Sequence, residues 1–193
     1  MESHFFAMMA RMKYIERWAL MRNSQTENIS EHSLEVSMLA HALAVISNTR
    51  LHNQLNAEKA ALIGLYHDST EIITGDMPTP VKYYNKEING AFKEIEKIAA
   101  KRLLNMLPED LRKSYETIFF TLEGEEYLWK LVKAADKLSA LIKCIQEENA
   151  GNVEFASAKK SLTETLINMK LNEVDIFMEE FLPSYYKTLD ELN

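Results

Sequence analysis

Apolar residues recur every three to four positions over long stretches of this chain, which is the spacing that one face of an α-helix produces. A helix is predicted from an N-cap at Asn28 or Ser30 to about Ser47, because either side-chain oxygen can accept a backbone N–H of the first turn. The same spacing predicts helices over residues 4–18, 58–66, 88–106, 108–120, 125–148, 154–169 and 174–186. The pattern therefore predicts an all-α chain of about seven or eight helices.

The few glycine and proline residues, five and four in 193, mark the breaks between helices. Gly124 and Gly151 separate later helices, and the segment GDMPTP (residues 75–80) cannot continue a helix. Its two prolines fix the backbone angle, as in many binding loops, so a site loop is predicted here. Composition does not shift along the chain, and residues 1–193 are expected to form a single domain.

The formal net charge of −7 limits the kind of partner. No broad basic field exists to hold a nucleic-acid polymer, whereas a small phosphorylated substrate needs only a metal ion and one or two local cations. The single cysteine, Cys144, excludes an intrachain disulfide and a multi-thiolate metal site. No apolar run approaches the roughly 20 residues of a membrane span, and the N-terminus lacks a secretory pattern. We expect a cytoplasmic protein without membrane contact.

A polar pair, His67 and Asp68, directly follows an apolar helical stretch. Imidazole and carboxylate are the ligand types that suit a divalent transition metal with open coordination sites. Glu71 lies four residues after His67, so a continuous helix would place all three side chains on one face. A carboxylate beside such a metal can move protons during hydrolysis, although the position of Glu71 alone favours an ordinary solvated residue.

Two histidines of the second predicted helix, His32 and His41, are nine residues apart and therefore face opposite sides. At most one of them belongs to a given site. His32 is in register with apolar residues and faces packed neighbours. His41 is interpreted as a core histidine held by a hydrogen bond. The apolar residues that share its side are Leu34, Met38 and Val45.

Asp136 interrupts a broad apolar stripe in the sequence LVKAADKLSALI. Burying an unpaired carboxylate is costly, so Asp136 must either ligate a cation or pair with an Arg or Lys side chain. Its position on the helix does not decide between these two roles.

In chain order, His32, then His67 and Asp68, then Asp136 match the H…HD…D signature of the HD-domain metal-dependent phosphohydrolases. The surrounding sequence resembles the bacterial YfbR-like 5′-deoxynucleotidases over nearly the whole chain. This resemblance implies an HD-domain helical bundle and a dimeric cytoplasmic enzyme that hydrolyses deoxyribonucleoside 5′-monophosphates to deoxynucleoside and phosphate, with one divalent metal ion. The strings that carry it are ERWALMRN, TENISEHSLEVSMLAHALA, LYHDSTEIITGDMPTPVKYYN and LVKAADKLSALIKCIQE.

The resemblance also implies the metal site. Its four ligands would be His32, His67, Asp68 and Asp136. Two of them, His32 and Asp136, would contact the substrate as well. Co²⁺ or Mn²⁺ is the expected ion, and such a ligand set also accepts Cu²⁺, Mg²⁺ or Zn²⁺.

Arg17 and Trp18 match the pair that contacts and orients the substrate phosphate in this family. Arg17 offers a planar fork of donors, and the indole can fix orientation by packing and by its N–H. Trp18 is also consistent with a plain core aromatic. Together with this pair, Glu71 is expected to be catalytic, assisting proton transfer. Lys82 is a second candidate for the phosphate, but a solvated loop lysine is favoured.

The loop that holds the sugar in this family matches Asp76, Met77, Pro78 and Thr79. Asp76 could accept a hydrogen bond from the 3′-hydroxyl, while close packing leaves no room for a 2′-hydroxyl. The resemblance therefore implies a preference for deoxyribonucleotides.

Two other functions are compatible with the residues. One is an HD phosphohydrolase of a cyclic or pyrophosphorylated nucleotide, and the other is a non-catalytic nucleotide-binding module with a structural metal. Glu71, Arg17 and Trp18 argue against the module, since a structural site would not need them. Ten methionines and many aromatic residues would suit a helix-packed homodimer interface.

Overall fold

The computed structural model describes residues 2–82 and 84–193, except the side chains of Thr79 and Pro80. Over these residues it contains α-helices and 3₁₀ turns without any strand, which confirms the all-α prediction. Eight of the described α-helices have five residues or more, and two are four-residue turns. The helices are α1 (Phe5–Met9), α2 (Ile29–Arg50), α3 (Ala57–Tyr66), α4 (Glu71–Thr74), α5 (Thr79–Lys82), α6 (Lys86–Leu104), α7 (Glu109–Phe119), α8 (Glu126–Asn149), α9 (Ala156–Asn168) and α10 (Asn172–Glu180).

Helices α2, α3 and α8 form the centre of the molecule, and their buried apolar side chains make one continuous core with α10. Helix α2 begins as predicted at Asn28, whose side chain accepts the backbone N–H groups of Ser30 and Glu31. The Glu31 carboxylate in turn accepts the backbone N–H of Asn28, which completes a capping box. This cap fixes the start of the helix that carries His32.

Gly64 allows α3 to pack unusually close to α2. A Cβ atom at this position would lie 2.9 Å from the Cα of Ser37, which is shorter than any ordinary contact. The Ser37 hydroxyl also donates to the carbonyl of Ala61 at 2.8 Å. The close approach brings the end of α3, and therefore His67, toward the first turn of α2.

A smaller apolar cluster joins α1 to α6 and α7. Phe5 is fully buried there and packs edge-on against Tyr115, with ring centroids 5.2 Å apart. Tyr66, the last residue of α3, contacts Tyr115 in the same manner at 6.0 Å. The cluster therefore supports the end of α3 from the side away from α2.

The helix predicted over residues 4–18 is wrong beyond its first turns. Helix α1 ends at Met9, and a 3₁₀ turn covers Met12–Tyr14. Residues 15–17 pair instead with the chain entering α2, because Arg17 N–H donates to the Glu27 carbonyl at 2.8 Å and Ile29 N–H to the Ile15 carbonyl at 2.9 Å. These bonds are incompatible with a helical ladder, so Arg17 lies in a loop.

Two further interpretations are corrected. The last predicted helix (residues 174–186) ends at Glu180, and a 3₁₀ turn, Leu182–Tyr186, follows because Pro183 has no N–H to continue the ladder. His41 is not a core residue but is exposed on α2. Its apolar neighbours form an exposed outer stripe of α2, defined here as Leu34, Met38 and Val45.

None of the helices in the described ranges combines the length and the apolar character needed to span a bilayer.

Candidate metal centre and active site

Four predicted ligands meet where α2, the turn after α3 and the middle of α8 come together. Nε2 of His32 lies 3.2 Å from Oδ1 of Asp136 and 3.4 Å from Oδ2 of Asp68. Nε2 of His67 lies 3.1 Å from the same Asp68 oxygen. Ligand atoms of His32, His67 and Asp68 are all within 4.8 Å of one another. The fold thus gathers the four side chains, while their role as ligands stays a prediction.

His67 presents a nitrogen lone pair to this centre. Its Nδ1 lies 2.7 Å from the Gly64 carbonyl, which can only accept, so Nδ1 carries the proton. The buried Nε2 has no aligned hydrogen-bond partner among the described residues, although Asp68 is near. Two acceptor atoms this close require a cation between them, either a proton or a metal ion. The residues therefore fit a divalent metal.

The acid–base state of these groups agrees with that reading. Burial lowers the pKa of His67, but the neighbouring Asp68 carboxylate outweighs it and leaves the pKa raised. Burial raises the pKa of Asp68, but His67 and Arg17 are among the charges that hold it well below its usual range. Burial also raises the pKa of Asp136, but Lys137, whose Nζ lies 2.8 Å from Oδ2 of Asp136, is the first of the charges that lower this pKa. Both carboxylates are therefore ionised, and Asp136 contacts a base as well as an imidazole.

Glu71 lies in the same cleft, but on a different helix from the one expected. Helix α3 ends at Tyr66, and a turn separates it from α4, so His67 and Glu71 do not share one helix. Glu71 is only 6% exposed, and its Oε2 has no hydrogen-bond partner in the described part of the chain. Burial and the nearby Asp68 and Asp76 carboxylates raise its pKa to about 9. The solvated alternative is wrong, and Glu71 is protonated at neutral pH.

Arg17 and Trp18 are held together by one carboxylate oxygen. Oε2 of Glu27 accepts Arg17 Nε at 3.1 Å and Trp18 Nε1 at 2.9 Å, while Arg17 Nη1 lies 3.3 Å from Asp68. The Trp18 ring packs on Phe155, and its backbone adopts a left-handed conformation with φ of 58°. Trp18 is thus half-buried in the cleft wall and is more than a plain core aromatic. Nothing in the sequence had indicated Glu27.

A cleft of about 590 Å³ opens onto Arg17, Trp18, Glu71 and two of the four predicted ligands, Asp68 and Asp136. Three residues of the predicted sugar loop, Asp76, Met77 and Pro78, line it, and the backbone at Gly75 turns with φ of 72°. The fourth, Thr79, begins α5, but its side chain lies outside the described residues. The chemically active groups of the lining are Arg17, Trp18, Asp68, Glu71, Asp76 and Asp136.

Lys82 also lines the cleft and is not a simple solvated lysine. It lies in the turn α5, donates to Glu96 at 2.8 Å and lies 4.7 Å from the Phe92 ring centroid. Its ammonium group is therefore engaged by α6.

The loop that follows Trp18 is anchored to α8 by a buried ion pair. Glu147 accepts the backbone N–H of Ser24 at 2.8 Å and the ammonium of Lys143 at 2.5 Å. Lys143 also donates to the carbonyl of Gln25. Burial by itself would raise the pKa of Glu147, but these bonds lower it to about 2. This anchor was not predicted from the sequence.

A series of two hydrogen bonds starts from the Nδ1 atom of His32. This atom lies 3.0 Å from the hydroxyl of Ser139, which donates to Oε2 of Glu35 at 2.5 Å. Neither Ser139 nor Glu35 was predicted from the sequence. The available signal was spacing, because Glu35 and Ser139 each lie three residues after a predicted ligand and so on the same side of the helix.

The fold is that of the HD-domain phosphohydrolases. An HD-domain phosphohydrolase from Listeria innocua superposes with a TM-score of 0.82 at 22% identity, over 94% of this chain and 88% of that one. The HD phosphohydrolase of cyanophage S-2L, solved with dA and one catalytic Zn²⁺ ion, superposes with a TM-score of 0.65 at 23% identity, over 94% and 96%. At this identity, the likeness shows the helical fold.

The chain belongs to the YfbR-like 5′-deoxynucleotidase family, whose sequence model matches residues 4–185. A 5′-deoxynucleotidase from Erwinia tasmaniensis is 51% identical over 191 residues, covering 99% of this chain and 96% of that protein. One from Vibrio vulnificus is 49% identical over 192 residues, covering 100% and 99%. The resemblance identified from the sequence is confirmed.

Proposed function

We propose that this chain is a metal-dependent 5′-deoxynucleotidase that hydrolyses deoxyribonucleoside 5′-monophosphates to deoxynucleoside and inorganic phosphate. The observation that carries the proposal is the convergence of two imidazoles and two carboxylates beside a buried guanidinium and a protonated carboxyl group. Full-length relatives that share about half of its residues are named for this activity.

His32, His67, Asp68 and Asp136 are assigned as ligands of one divalent ion, with Co²⁺ or Mn²⁺ as the expected metal. When bound, the metal stabilises charge on the phosphoryl oxygens and activates the attacking water. The pKa of His67 is raised in the metal-free protein, so a proton competes with the metal ion for Nε2.

Arg17 is assigned to the phosphate oxygens of the ester, and Glu71 to its 5′-oxygen. Arg17 donates hydrogen bonds to Glu27 and Asp68. Its remaining N–H groups bind phosphate oxygens, and Trp18, which donates to the same Glu27 oxygen, helps to hold the guanidinium in place. Water attacks phosphorus, the bond to the 5′-oxygen breaks, and Glu71 gives its proton to the leaving oxygen. A pKa of about 9 keeps that proton available at neutral pH.

The loop of Asp76, Met77, Pro78 and Thr79 is assigned to the sugar. The Asp76 carboxylate lines the cleft and is half-buried, and burial raises its pKa. It accepts a hydrogen bond from the 3′-hydroxyl, and the adjacent backbone excludes a 2′-hydroxyl. His32 and Asp136 contact the phosphate from the metal side.

We further propose a single-domain cytoplasmic homodimer, with a second copy of the chain on the outer stripe of α2. Leu34, Met38 and Val45 are 56%, 59% and 40% exposed along one side of a helix whose other side is fully packed. Helices that are apolar all round are normally buried, so this side is suited to an interface.

Phosphate release from a panel of nucleotides, with added Mn²⁺ or Co²⁺, tests the activity. We expect turnover of deoxyribonucleoside monophosphates by the wild type, a loss of about 10²- to 10⁴-fold in Glu71→Ala, and reduced discrimination against ribonucleotides in Asp76→Ala. Glu96→Ala, which alters a neighbour of the cleft that does not line it, is the control and should retain activity.

Preferential hydrolysis of cyclic or pyrophosphorylated nucleotides would replace the proposed substrate class. Binding of nucleotides without any phosphate release would replace the enzyme by a binding module. An Asp76→Ala variant with an unchanged preference for deoxy sugars would disprove its assigned role.

A further inference from the structure

The two histidines of the proposed metal centre are oriented by different kinds of group. His67 is held by a backbone carbonyl, that of Gly64. His32 is held by a side chain, the hydroxyl of Ser139, which is itself held by Glu35. The Ser139 hydroxyl and the His32 ring are fully buried, so water does not replace either bond.

The direction of these hydrogen bonds follows from donor and acceptor counting. The Ser139 hydroxyl donates to Oε2 of Glu35, so its single proton points to Glu35. Burial raises the pKa of Glu35, and this hydrogen bond acts in the opposite direction by favouring the carboxylate. The Ser139 oxygen must then accept from Nδ1 of His32. A neutral imidazole carries one proton, so Nε2 keeps a lone pair, and a metal ion must then lie between this atom and the two ionised carboxylates. That lone pair points at Asp136 and Asp68, 3.2 and 3.4 Å away.

We propose that Glu35 and Ser139 are positioning residues, which fix His32 in its Nδ1–H tautomer and so keep Nε2 available for a metal ion. The inference rests on the proposed role of His32 as a ligand. Groups that fix the tautomer of a ligating histidine commonly change metal affinity by about 10- to 100-fold when they are removed.

Substitutions of Glu35 distinguish this mechanism from simple packing. In Glu35→Ala the Ser139 hydroxyl loses its acceptor and is free to donate to Nδ1, which moves the imidazole proton to Nε2 and blocks the ligand atom. In Glu35→Gln the amide oxygen still accepts from Ser139, so the original tautomer is kept. Ser139→Ala removes the acceptor for Nδ1–H and leaves the tautomer unfixed.

The core supplies a matched control. Ser47 donates to Glu173 at 2.6 Å, and both residues are buried, as Ser139 is. This pair belongs to α2 and α10, and neither residue lines the cleft. Ser47→Ala therefore breaks an equivalent buried bond without touching the proposed metal centre.

The experiment uses ¹⁵N-labelled full-length protein with one equivalent of the diamagnetic ion Zn²⁺, and imidazole ¹⁵N shifts report where each proton lies. The His32 signals are assigned as those lost in His32→Gln. We expect Nδ1–H with a metal-bound Nε2 for His32 in wild type, Glu35→Gln and Ser47→Ala, and a fraction with the proton on Nε2 in Glu35→Ala. Calorimetric titration with Mn²⁺ should show about 10- to 100-fold weaker binding only in Glu35→Ala and Ser139→Ala.

Two results would overturn the proposal: a wild-type His32 with its proton on Nε2, or a Glu35→Ala variant that keeps both the tautomer and the Mn²⁺ affinity. A wild type that shows the expected tautomer but takes up neither Zn²⁺ nor Mn²⁺ would instead disprove the proposed metal site, and the positioning of His32 would stand.

Discussion

Glu71 is a carboxyl group that the fold keeps from water beside two other carboxylates. Its pKa of about 9 is the sum of burial and the charges of Asp68 and Asp76. The same surroundings that make it a proton donor at neutral pH make it unfavourable when ionised. The catalytic role proposed for Glu71 therefore opposes stability at this residue.

This opposition predicts how stability depends on pH. The folded-state pKa lies above the ordinary value of 4.5, so the protonated group stabilises the fold fully below about pH 4.5, and this contribution is lost as pH rises toward about 9. Glu71→Gln cannot ionise. In urea unfolding of metal-free protein, we expect the variant to gain stability relative to wild type between about pH 5 and about pH 9.

Glu96→Gln, which removes a carboxylate that is already paired with Lys82, provides the comparison. If the free energy of unfolding changes with pH in the same way in wild type and Glu71→Gln, then Glu71 ionises normally in the folded protein.

At the level of single residues, the sequence predicted the groups whose type reveals their chemistry. A histidine followed by an aspartate, or an aspartate within an apolar stripe, is unusual enough to be noticed, and His67, Asp68 and Asp136 do meet. Glu27 and Glu35 were missed because an acidic residue in a polar stretch looks like any other. Only their partners, Arg17, Trp18 and Ser139, reveal what they do.

Among the helices, the contact between α2 and α3 determines the geometry of the site. At Gly64 the two backbones are too close to admit a Cβ atom, and His67 follows Gly64 by three residues. Gly64→Ala would place a Cβ 2.9 Å from the Ser37 backbone, so α3 must move. We expect a loss of about 1–3 kcal/mol in the free energy of unfolding and weaker Mn²⁺ binding, measured by urea unfolding and calorimetry.

Gly90→Ala is the matched control, since Gly90 lies within α6 and no described atom lies within 4 Å of its added Cβ. Alanine has the higher helix propensity, so this variant should gain up to about 1 kcal/mol and keep its metal affinity. Equal effects of both substitutions would mean that the close approach of α3 does not matter.

Element boundaries were predictable where a local signal exists. Asn28 caps its helix as expected, because an N-cap needs only its own next three residues. The first helix was predicted too long for the opposite reason. Residues 15–17 fit the helical spacing of apolar residues, but their backbone hydrogen bonds are made with residues 27–29. The spacing of apolar residues does not indicate such a pairing between distant segments.

At the scale of the whole molecule, the outer stripe of α2 remains without a partner in the described monomer. If a second copy covers it, Met38→Glu places a charge in the interface and should convert a dimer to a monomer in light scattering after size exclusion. Ile167→Glu is the control, because Ile167 is 57% exposed on α9, against 59% for Met38. A wild type that is monomeric, or a Met38→Glu variant that stays dimeric, would contradict this interface.

The whole-molecule arrangement was the part least accessible from sequence. Two of the hydrogen bonds around the site join residues 104 and 123 positions apart, those of Glu35 with Ser139 and of Ser24 with Glu147. Helical spacing orders side chains within one helix, whereas these contacts depend on how α8 packs against α2 and against the loop before it. The family resemblance indicated which proposed ligands lie together, but it gave no indication of Glu35 and Ser139.

The anchoring of Ser24 by Glu147 has a consequence for biosynthesis. The ribosome makes the segment containing Arg17 and Trp18 early, yet its anchor is added 123 residues later, which takes roughly 6 to 25 seconds at about 5–20 residues per second. His32 and His67 are likewise translated well before Asp136. The nascent chain therefore cannot assemble this cleft until α8 has left the exit tunnel.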